Sequence, residues 1–380
     1  MEYAYKFRIY PTPAQEELIQ KTFGCCRFIY NHFLSERIAL YQNTGKSTNW
    51  REQCKELPGL KIQYPWLKEV DSHALQATAR NLHRAYDNFF RRVKNSEKPG
   101  FPKYKSKSDS RRSFTTVGKT LAVSENTVKL PKLGEIKCIV TRPVQGRILN
   151  MTISQTPTKK YFVSICCTDV ELDPMPLTGK ETGVDVGIRS LAILSDGTKY
   201  ENNEHLAKNL KKLARLQRQF SRQERDSRRH EKTRMKIAEL HERITNQRTD
   251  ALHKLTTDLV REYDMIAVET LDIKGMMGQK KSHDLARRIG DAAWGTLLSQ
   301  LEYKADWYGK MVVSVDKTFP STQICSACGA KHPFVSKTMP LKWTCPSCGA
   351  EHDVDVNAAK NLLEEGRRIL AEGQAPGMSA

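Results

Sequence analysis

Four cysteines toward the C-terminal end stand in two pairs with the same internal spacing. Cys325 and Cys328 form the first pair, Cys345 and Cys348 form the second, and sixteen residues separate them. Each pair can present two thiolates to one tetrahedral zinc ion at about 2.3 Å, and two pairs complete its coordination. Four thiolates leave no position for water, so the pattern predicts a structural zinc ribbon. A redox-active CxxC is the alternative, which a single pair would have supported better.

Three acidic residues have positions that suit a second kind of metal chemistry. Asp185 lies within the apolar stretch 183–188, which predicts a buried strand where a lone carboxylate costs several kcal/mol. Glu269 ends another predicted strand, 264–269, and Asp355 lies in the first turn of a predicted helix. For each acid taken alone, an ordinary structural role stays open. Asp185 could lie exposed on an edge strand, and Asp355 could simply stabilise a helix N-terminus.

The order of these acids along the chain favours a shared site. Strand acid, strand acid and helix acid are what a ribonuclease-H-like fold uses to hold two Mg²⁺ ions about 3.5–4 Å apart across a scissile phosphate. One ion would lower the pKa of the attacking water, and the other would stabilise the leaving 3′ oxygen. Carboxylate oxygens suit Mg²⁺ or Mn²⁺ rather than zinc.

The elements around the acids are readable from hydrophobic periodicity. Residues 183–197 predict a largely buried β-hairpin, and residues 205–248 predict a basic helical hairpin with fourteen Lys or Arg against five acids. A short helix is predicted over 249–261, an amphipathic helix over 291–308 and a strand over 312–315.

The first part of the chain predicts a β module that is interrupted by helices. Residues 2–10 alternate as a strand, and helices are predicted after Thr12 and from about Asp71. Several short strands follow within 114–170, and we expect strand 2–10 to join them because it has no nearer partner. The basic stretch 97–113 predicts a linker that contacts nucleic acid, with aromatic side chains able to stack on bases.

The amino-acid composition indicates which class of binding partner to expect. The chain has 380 residues and a net charge of +19, which predicts a polyanion, with nucleic acid favoured over an acidic membrane surface. It has neither the long apolar run of a membrane span nor an apolar secretory signal at its start, so we expect a cytoplasmic protein. The cysteine pattern fits metal binding in a reducing compartment rather than a disulfide scaffold.

Several motifs together resemble the TnpB family, the RNA-guided nucleases of bacterial insertion sequences and the apparent ancestors of CRISPR type V effectors. The resemblance covers nearly the whole chain. It rests on CRFIYNHFL (26–34), PGFPKYKSK (99–107), GVDVGIRSLAILSDG (183–197), VETL (268–271), FPSTQICSACG (319–329) and WTCPSCGAEHDVDVNAAKNL (343–362).

The resemblance implies an α/β protein in which a ribonuclease-H-like (RuvC) nuclease domain carries an inserted zinc ribbon. An N-terminal β-barrel wedge domain would carry an inserted helical recognition module. The implied boundaries are wedge 1–10 and 113–172, recognition module 11–112, nuclease 182–319 and 350–370, zinc ribbon 320–349, and a disordered tail 371–380.

The resemblance also implies site residues. Asp185, Glu269 and Asp355 would bind two Mg²⁺ or Mn²⁺ ions, with Asp353 as the alternative to Asp355, and the four cysteines would bind one zinc ion. Relatives often have a basic residue where this chain has Val354, which puts a phosphate contact there in doubt. The residues expected to contact nucleic acid are Gln76, Arg80, Arg84, Lys103, Lys105, Lys212, Arg215 and Arg222.

The implied activity is cleavage of double-stranded DNA that matches a transposon-derived guide RNA and lies beside a short transposon-adjacent motif. We expect a monomer per guide RNA, in the cytoplasm of a bacterium or archaeon and associated with the nucleoid. Two other functions remain as alternatives. One is a nuclease-inactive RNA-guided repressor, which should lack at least one of the three acids, and the other is a transposase that acts directly on DNA ends.

Overall fold

A computed structural model describes residues 1–108, 112–278, 283–335 and 341–373, and the chain divides into two compact units. The first unit is Met1–Glu171 and the second is Leu172–Ala380. The finer division into wedge, recognition module, nuclease and ribbon stays a prediction. Of the predicted tail, Ala371 is the last residue of a helix, and residues 374–380 lie outside the described ranges.

The first unit combines a seven-stranded sheet with three α-helices among its described residues. Their bounds are β1 (Tyr3–Tyr10), α1 (Pro13–Thr44), α2 (Trp50–Gln63), α3 (Ser72–Lys94), β2 (Arg112–Thr116), β3 (Ala122–Val123), β4 (Thr127–Leu130), β5 (Gly134–Ile139), β6 (Arg147–Gln155) and β7 (Tyr161–Thr168). The strand order is β2-β6-β7-β1-β5-β4-β3. Strand β1 pairs with β5 and β7, so the prediction that it joins the later strands is confirmed.

The helices of this unit begin where capping chemistry places them. Thr12 caps α1 and forms a capping box with Gln15, and Asp71 caps α3, so both predicted starts are confirmed. Helix α2 has no counterpart among the predicted elements, because Pro58 and Gly59 interrupt its pattern. Pairing among the described strands leaves β2 and β3 at the two ends of the sheet, so the closed barrel of the wedge domain stays a prediction.

The second unit is built on a mixed five-stranded sheet. Its elements are β8 (Glu181–Val186), β9 (Ser190–Leu194), β10 (Lys199–Glu201), α4 (Leu210–Ser221), α5 (Arg228–Glu262), β11 (Met265–Glu269), α6 (Ile273–Gly278), α7 (His283–Ala292), α8 (Trp294–Tyr308), β12 (Met311–Val315), β13 (Lys342–Thr344), β14 (Glu351–Asp353) and α9 (Val354–Ala371). The strand order is β10-β9-β8-β11-β12. Strands β8, β9 and β10 are antiparallel, whereas β8, β11 and β12 run parallel.

Two helix predictions in this unit are wrong in their bounds. The second helix of the predicted hairpin and the short helix predicted after it are one continuous helix, α5. Neither Pro nor Gly interrupts residues 228–262. The helix predicted over 291–308 is instead two helices, α7 and α8. Ala293 between them adopts a left-handed conformation with φ of 53°, which alanine gives no sign of in the sequence.

The starts of the three parallel strands are tied together by one carboxylate. Asp264, just before β11, accepts hydrogen bonds from the backbone N–H groups of Thr178 and Gly179 at 2.9 and 2.7 Å. Lys310, which precedes β12, forms an ion pair with the same carboxylate. This ion pair lowers the pKa of Asp264 to about 2. The parallel register of the strands therefore begins from a common anchor.

No helix in the described part of the chain is long and apolar enough to cross a membrane.

Candidate nuclease and zinc sites

Asp185 is a buried acid on the middle strand of the second sheet. Asp185 is 1% exposed, and its strand, β8, lies between β9 and β11. The alternative of an exposed position on an edge strand is therefore wrong. A carboxylate at such a place is stable only with partners that offset its lost hydration.

Glu269 lies level with Asp185 on the neighbouring parallel strand. Val268 of β11 is paired in register with Val184 of β8, and each acid is the next residue along its strand. Neighbouring strands lie about 4.8 Å apart, so the two backbones carry their acids side by side. Glu269 is the last residue of β11 and is partly exposed, which opens this end of the sheet to solvent.

Both acids belong to the face of the sheet that helix α9 covers. A Cβ atom on Gly183 would lie 1.9 Å from the carbonyl oxygen of Ala359, and a Cβ on Gly366 would lie 2.7 Å from Cβ of Ala267. Gly183 and Ala267 therefore face α9. Side chains two positions apart on a strand share a face, so Asp185 and Glu269 face the same side.

The first turn of α9 brings Asp355 to this end of the sheet. Arg367, near the helix end, donates to Glu181 at the start of β8 at 2.7 Å, so the helix runs antiparallel to the strand. Four residues back from Ala359 is Asp355, a rise of about 6 Å. Two residues on from Gly183 is Asp185, an advance of about 6.6 Å. The geometry thus brings the three acids to one end of the β8–α9 contact.

Asp353 and Asp355 differ in their surroundings. Asp353 is the N-cap of α9, and its Oδ1 accepts from the backbone N–H groups of Asp355 and Val356 at 3.1 and 3.2 Å. Its Oδ2 accepts from Nζ of Lys199 at 2.7 Å. Partial burial alone would raise the pKa of Asp353, but the Lys199 ion pair and the backbone donors hold it below its usual value. Both oxygens of Asp353 are thus engaged, which favours Asp355 as the metal ligand.

The acids suit hard cations, although they do not form a compact cluster of donor atoms. Among the described residues, the one group of metal-binding side chains with all donor atoms within 4.8 Å of one another is the cysteine group. Two ions about 3.5–4 Å apart, each about 2.1 Å from its ligands, accept oxygens up to about 8 Å apart.

The cysteines have the geometry of a tetrahedral zinc site. The sulfurs of Cys325 and Cys348 lie 3.7 Å apart, and those of Cys328 and Cys345 lie 3.8 Å apart. A tetrahedron with bonds of about 2.3 Å has edges of about 3.8 Å, so the four sulfurs fit one Zn²⁺ ion. In each pair a glycine follows the second cysteine, with φ of 75° at Gly329 and 73° at Gly349.

Two asparagines that the sequence analysis did not single out as functional fasten the zinc ribbon to α9. Asn357, which is 1% exposed, accepts from the N–H of Ser326 at 2.9 Å and donates to the carbonyl of Ile324 at 2.7 Å. Asn361 donates to the same carbonyl at 2.6 Å. Asparagine is a poor helix former. Two asparagines four residues apart inside a predicted helix were therefore the sequence signal that these side chains have a specific role.

Val354 adds an apolar contact between the ribbon and the start of α9. It is buried in a small core with Cys325, Val335, Trp343 and Cys345. Its side chain therefore packs with the ribbon. Valine has no polar group, so it cannot make the phosphate contact that a basic residue would make at this position. The ribbon and the first turn of α9 form one packed structure, so the zinc site supports the helix turn that carries Asp355.

The residues predicted to contact nucleic acid lie at the surface of their own units. Arg80 and Arg84 are exposed on α3, where the Arg80 guanidinium lies 4.9 Å from the ring of Trp50, while Gln76 is partly buried. The remaining ones, all exposed, are Lys103, Lys105, Lys212, Arg215 and Arg222. Contact with nucleic acid by these residues stays a prediction.

The basic helical hairpin of the second unit is confirmed by packing between α4 and α5. Leu213 and Leu216 of α4 contact Leu240 and Ile244 of α5 in a small apolar cluster. The opposite side of α4 carries its exposed basic residues. One buried side and one cationic side are what the sequence predicts here.

The sequence matches three family models along its length. These are "Probable transposase" of the IS605 OrfB type over residues 164–280, "Cas12f1-like, TNB domain" over 294–362 and "Helix-turn-helix domain" of the same OrfB type over 1–46. A Streptomyces pristinaespiralis protein, provisionally named an RNA-guided DNA endonuclease, is 37% identical over 96% of this chain and 89% of its own. The chain belongs to the TnpB (IS605 OrfB) family.

Two further similarities agree with this membership. An Escherichia coli K12 protein with the same provisional designation is 34% identical over 98% of this chain and 94% of its own. A solved complex of Cas12f1 with sgRNA and target DNA contains a chain with a TM-score of 0.56 at 12% identity, covering 95% of this TnpB chain and 98% of its own. That likeness concerns the fold, and the mixed sheet of the second unit fits a RuvC-type nuclease.

Proposed function

We propose that this TnpB protein is an RNA-guided DNA endonuclease of an insertion sequence. It would bind a transposon-derived guide RNA, recognise a short transposon-adjacent motif and cleave double-stranded DNA complementary to the guide. The observation that carries the proposal is the placement of Asp185, Glu269 and Asp355 at one end of the contact between β8 and α9. Membership of a family whose relatives carry that designation supports it.

Each acid has a separate part in the proposed site. Bound Mg²⁺ or Mn²⁺ would supply Lewis-acid activation of water and stabilise charge on the leaving oxygen. Asp185 would hold the ions from the buried centre of the sheet, and Glu269 would do so from its solvent-accessible end. Asp355 would close the site from the first turn of α9, where Asp353 already fixes the backbone through its cap.

The positive charge of the chain and its exposed cations would bind nucleic acid. A net charge of +19 provides counterion release on binding to a polyanion. The exposed cations of α3, α4 and the 97–108 stretch would contact phosphates, while base pairing with the guide would supply most of the sequence specificity. Structural Zn²⁺ on the four cysteines would hold the ribbon against α9.

The test is a cleavage assay with the RNA that copurifies with the full chain. After that RNA has been sequenced, a matching DNA duplex with a randomised flanking segment is supplied with Mg²⁺, with a mismatched duplex as control. We expect cleavage of the matched duplex by the wild-type protein and by Asp284→Asn, which removes an exposed carboxylate outside the three acids. Asp185→Ala should be inactive but should retain RNA.

The two alternative functions give different results in the same assay. A repressor without nuclease activity would bind the matched duplex, and wild type and Asp185→Ala would be equally unable to cleave it. A transposase acting directly on DNA ends would work without RNA and would yield strand-transfer products. The chain retains all three acids, and this supports the nuclease over the repressor.

A further inference from the structure

A basic cavity in the first unit lies where two of the family motifs meet. Its volume is about 200 Å³, and it opens between α1 and the stretch that precedes β2. The lining residues are Gln20, Phe23, Gly24, Cys26, Arg27, Lys105, Ser106, Lys107, Arg112 and Ser113. The described lining thus contains four cations and no carboxylate. Of these residues, the function proposed above uses only Lys105 and Lys107, as exposed cations of the 97–108 stretch.

The wall of this cavity is held in place by a two-point amide contact. Asn31 of α1 donates to the backbone carbonyl of Lys105 at 2.9 Å and accepts from its N–H at 2.8 Å. The ammonium group of Lys105 lies 4.2 Å from the ring of Tyr30. The extended stretch is therefore fixed against α1, and the cavity is a built feature of the fold.

The charge inside the cavity is positioned by neutral groups. Arg112 donates to the side-chain oxygens of Gln20 and Gln155 at 3.3 and 3.5 Å. Within the described ranges, neither Arg112 nor Arg27 forms an ion pair with a carboxylate. Among the described residues, no carboxylate neutralises these two guanidinium groups, and guanidinium groups side by side can bind an oxyanion.

Gly24 leaves room for that anion at the cavity wall. It lies inside α1, where glycine weakens a helix relative to alanine, yet a Cβ atom there would meet no atom of the described residues within 4 Å. The backbone needs no glycine at this point, so the open space itself is the feature that a larger residue would remove.

We infer that this cavity binds a backbone phosphate of nucleic acid, with Arg27 and Arg112 as its ligands. The inference rests on the proposed function, because a nucleic-acid partner supplies the phosphodiester. Two cations contact the phosphate oxygens, and the four cations among the described lining residues favour an anionic occupant. The phosphate comes from either the RNA or the DNA, and the two probes of the test distinguish these sources.

Two variants remove the site in independent ways. Arg27→Gln with Arg112→Gln neutralises it, and Gly24→Leu fills it without changing the charge. The control, Lys119→Gln with Lys129→Gln, removes the same charge from exposed positions of the same unit outside the cavity. Thermal melting of each variant establishes that it is folded.

Binding is measured by fluorescence anisotropy on the full chain, with labelled oligo(U) RNA and a DNA duplex, each of about 20 nucleotides per strand, over about 50–200 mM KCl. For one of the probes, we expect the double neutralisation to weaken binding about fivefold or more and to reduce the slope of log Kd against log salt by about one. Gly24→Leu should weaken binding of the same probe.

Unchanged binding of both probes by these variants would overturn the inference, as would an equal loss in the lysine control. The measurement needs no cleavage, so it also separates the two proposals. Loss of binding in a protein that does not cut would contradict the nuclease proposal alone. Cleavage of matched DNA with undiminished binding by the cavity variants would contradict the phosphate site alone.

Discussion

At the scale of single residues, Asp353 and Asp355 are two positions apart but have different surroundings. Asp353 caps α9 and pairs with Lys199, whereas Asp355 follows in the first turn of that helix. An acid that already satisfies backbone donors and a lysine contributes mainly to stability. In the proposed site, Asp355 would contribute mainly to metal binding.

This difference predicts opposite effects of two conservative substitutions. Asp353→Asn should lower the free energy of unfolding by about 1 kcal/mol, because it removes the ion pair with Lys199 and the negative charge at the helix N-terminus, and should leave most of the cleavage activity. Asp355→Asn should reduce cleavage by about 100-fold or more at nearly unchanged stability. Thermal melting and cleavage rates measure both, and the reverse pattern would make Asp353 the metal ligand.

Lys304 gives a prediction about pH. Lys304 is 6% exposed, and its ammonium group donates to the carbonyl of His253 and to the hydroxyls of Thr256 and Thr257. Burial lowers the pKa of Lys304 to about 8. Because the unfolded chain keeps this proton up to about pH 10.5, the free energy of unfolding should rise between about pH 8 and pH 10.5.

The Lys304 contribution can be isolated by comparing variants. Lys304→Met should lack a rise of up to about 3 kcal/mol across that window, whereas Lys254→Met, at an exposed position of the same helix pair, should keep it. Denaturant unfolding at several pH values measures the difference. Parallel pH curves for wild type and Lys304→Met would refute the prediction.

Among the residues of the site, those with a local signature were predictable. Asp185 stands out because an acid in an apolar β-branched stretch needs a partner, and the cysteines stand out by their spacing. Asn357 and Asn361 were not predictable as docking residues, because their partners, Ser326 and the carbonyl of Ile324, lie in a loop about thirty positions away along the chain. Only the folded chain brings these groups together.

At the scale of elements, the contact of α9 with β8 sets the geometry of the acids. The helix lies so close to the strand that Gly183 has no space for a side chain. Gly183→Ala should therefore push the helix away, lower the free energy of unfolding by about 1–3 kcal/mol and reduce cleavage. Gly278→Ala, whose added Cβ meets no described atom within 4 Å, is the matched control and should be close to neutral.

Thermal melting and cleavage rates of the two glycine variants test this packing. Equal stability of Gly183→Ala and Gly278→Ala would contradict the close approach of α9 to β8.

The zinc ribbon should influence cleavage through α9 rather than through chemistry. Cys345→Ser should lose zinc, melt at a lower temperature and cleave more slowly, because the ribbon that supports the first turn of α9 loosens. Asn361→Ala should retain zinc but also cleave more slowly, since it breaks two contacts between helix and ribbon. Zinc content by mass spectrometry separates the two, and full activity of zinc-free protein would contradict this role.

The element predictions succeed where periodicity has clear ends. The hairpin of β8 and β9, the caps of α1 and α3 and the pairing of β1 with later strands are confirmed. Errors occur where the ends carry no chemical mark. The lack of Pro and Gly permits α5 to continue past residue 248 but does not mark where it ends, and no residue type at Ala293 marks the break between α7 and α8.

At the scale of the whole molecule, two metal chemistries and a large positive charge combine in one chain. The cysteines suit a zinc ion that maintains structure, and in the proposed site the three acids would hold the ions that take part in cleavage. Because the two donor sets prefer different metals, removal of Mg²⁺ should stop cleavage without unfolding the ribbon. The excess of 62 Lys and Arg over 43 Asp and Glu attracts the nucleic acids on which the nuclease would act.

The central claim is that Asp185, Glu269 and Asp355 jointly hold two divalent ions over a DNA phosphate. The most direct measurement is a crystal structure of the full chain with its copurified RNA and matching DNA, grown in Mn²⁺ and recorded with anomalous scattering. We predict two manganese peaks about 3.5–4 Å apart, ligated by the three carboxylates. Carboxylate oxygens more than about 10 Å from one another in that complex, with no manganese between them, would contradict the account.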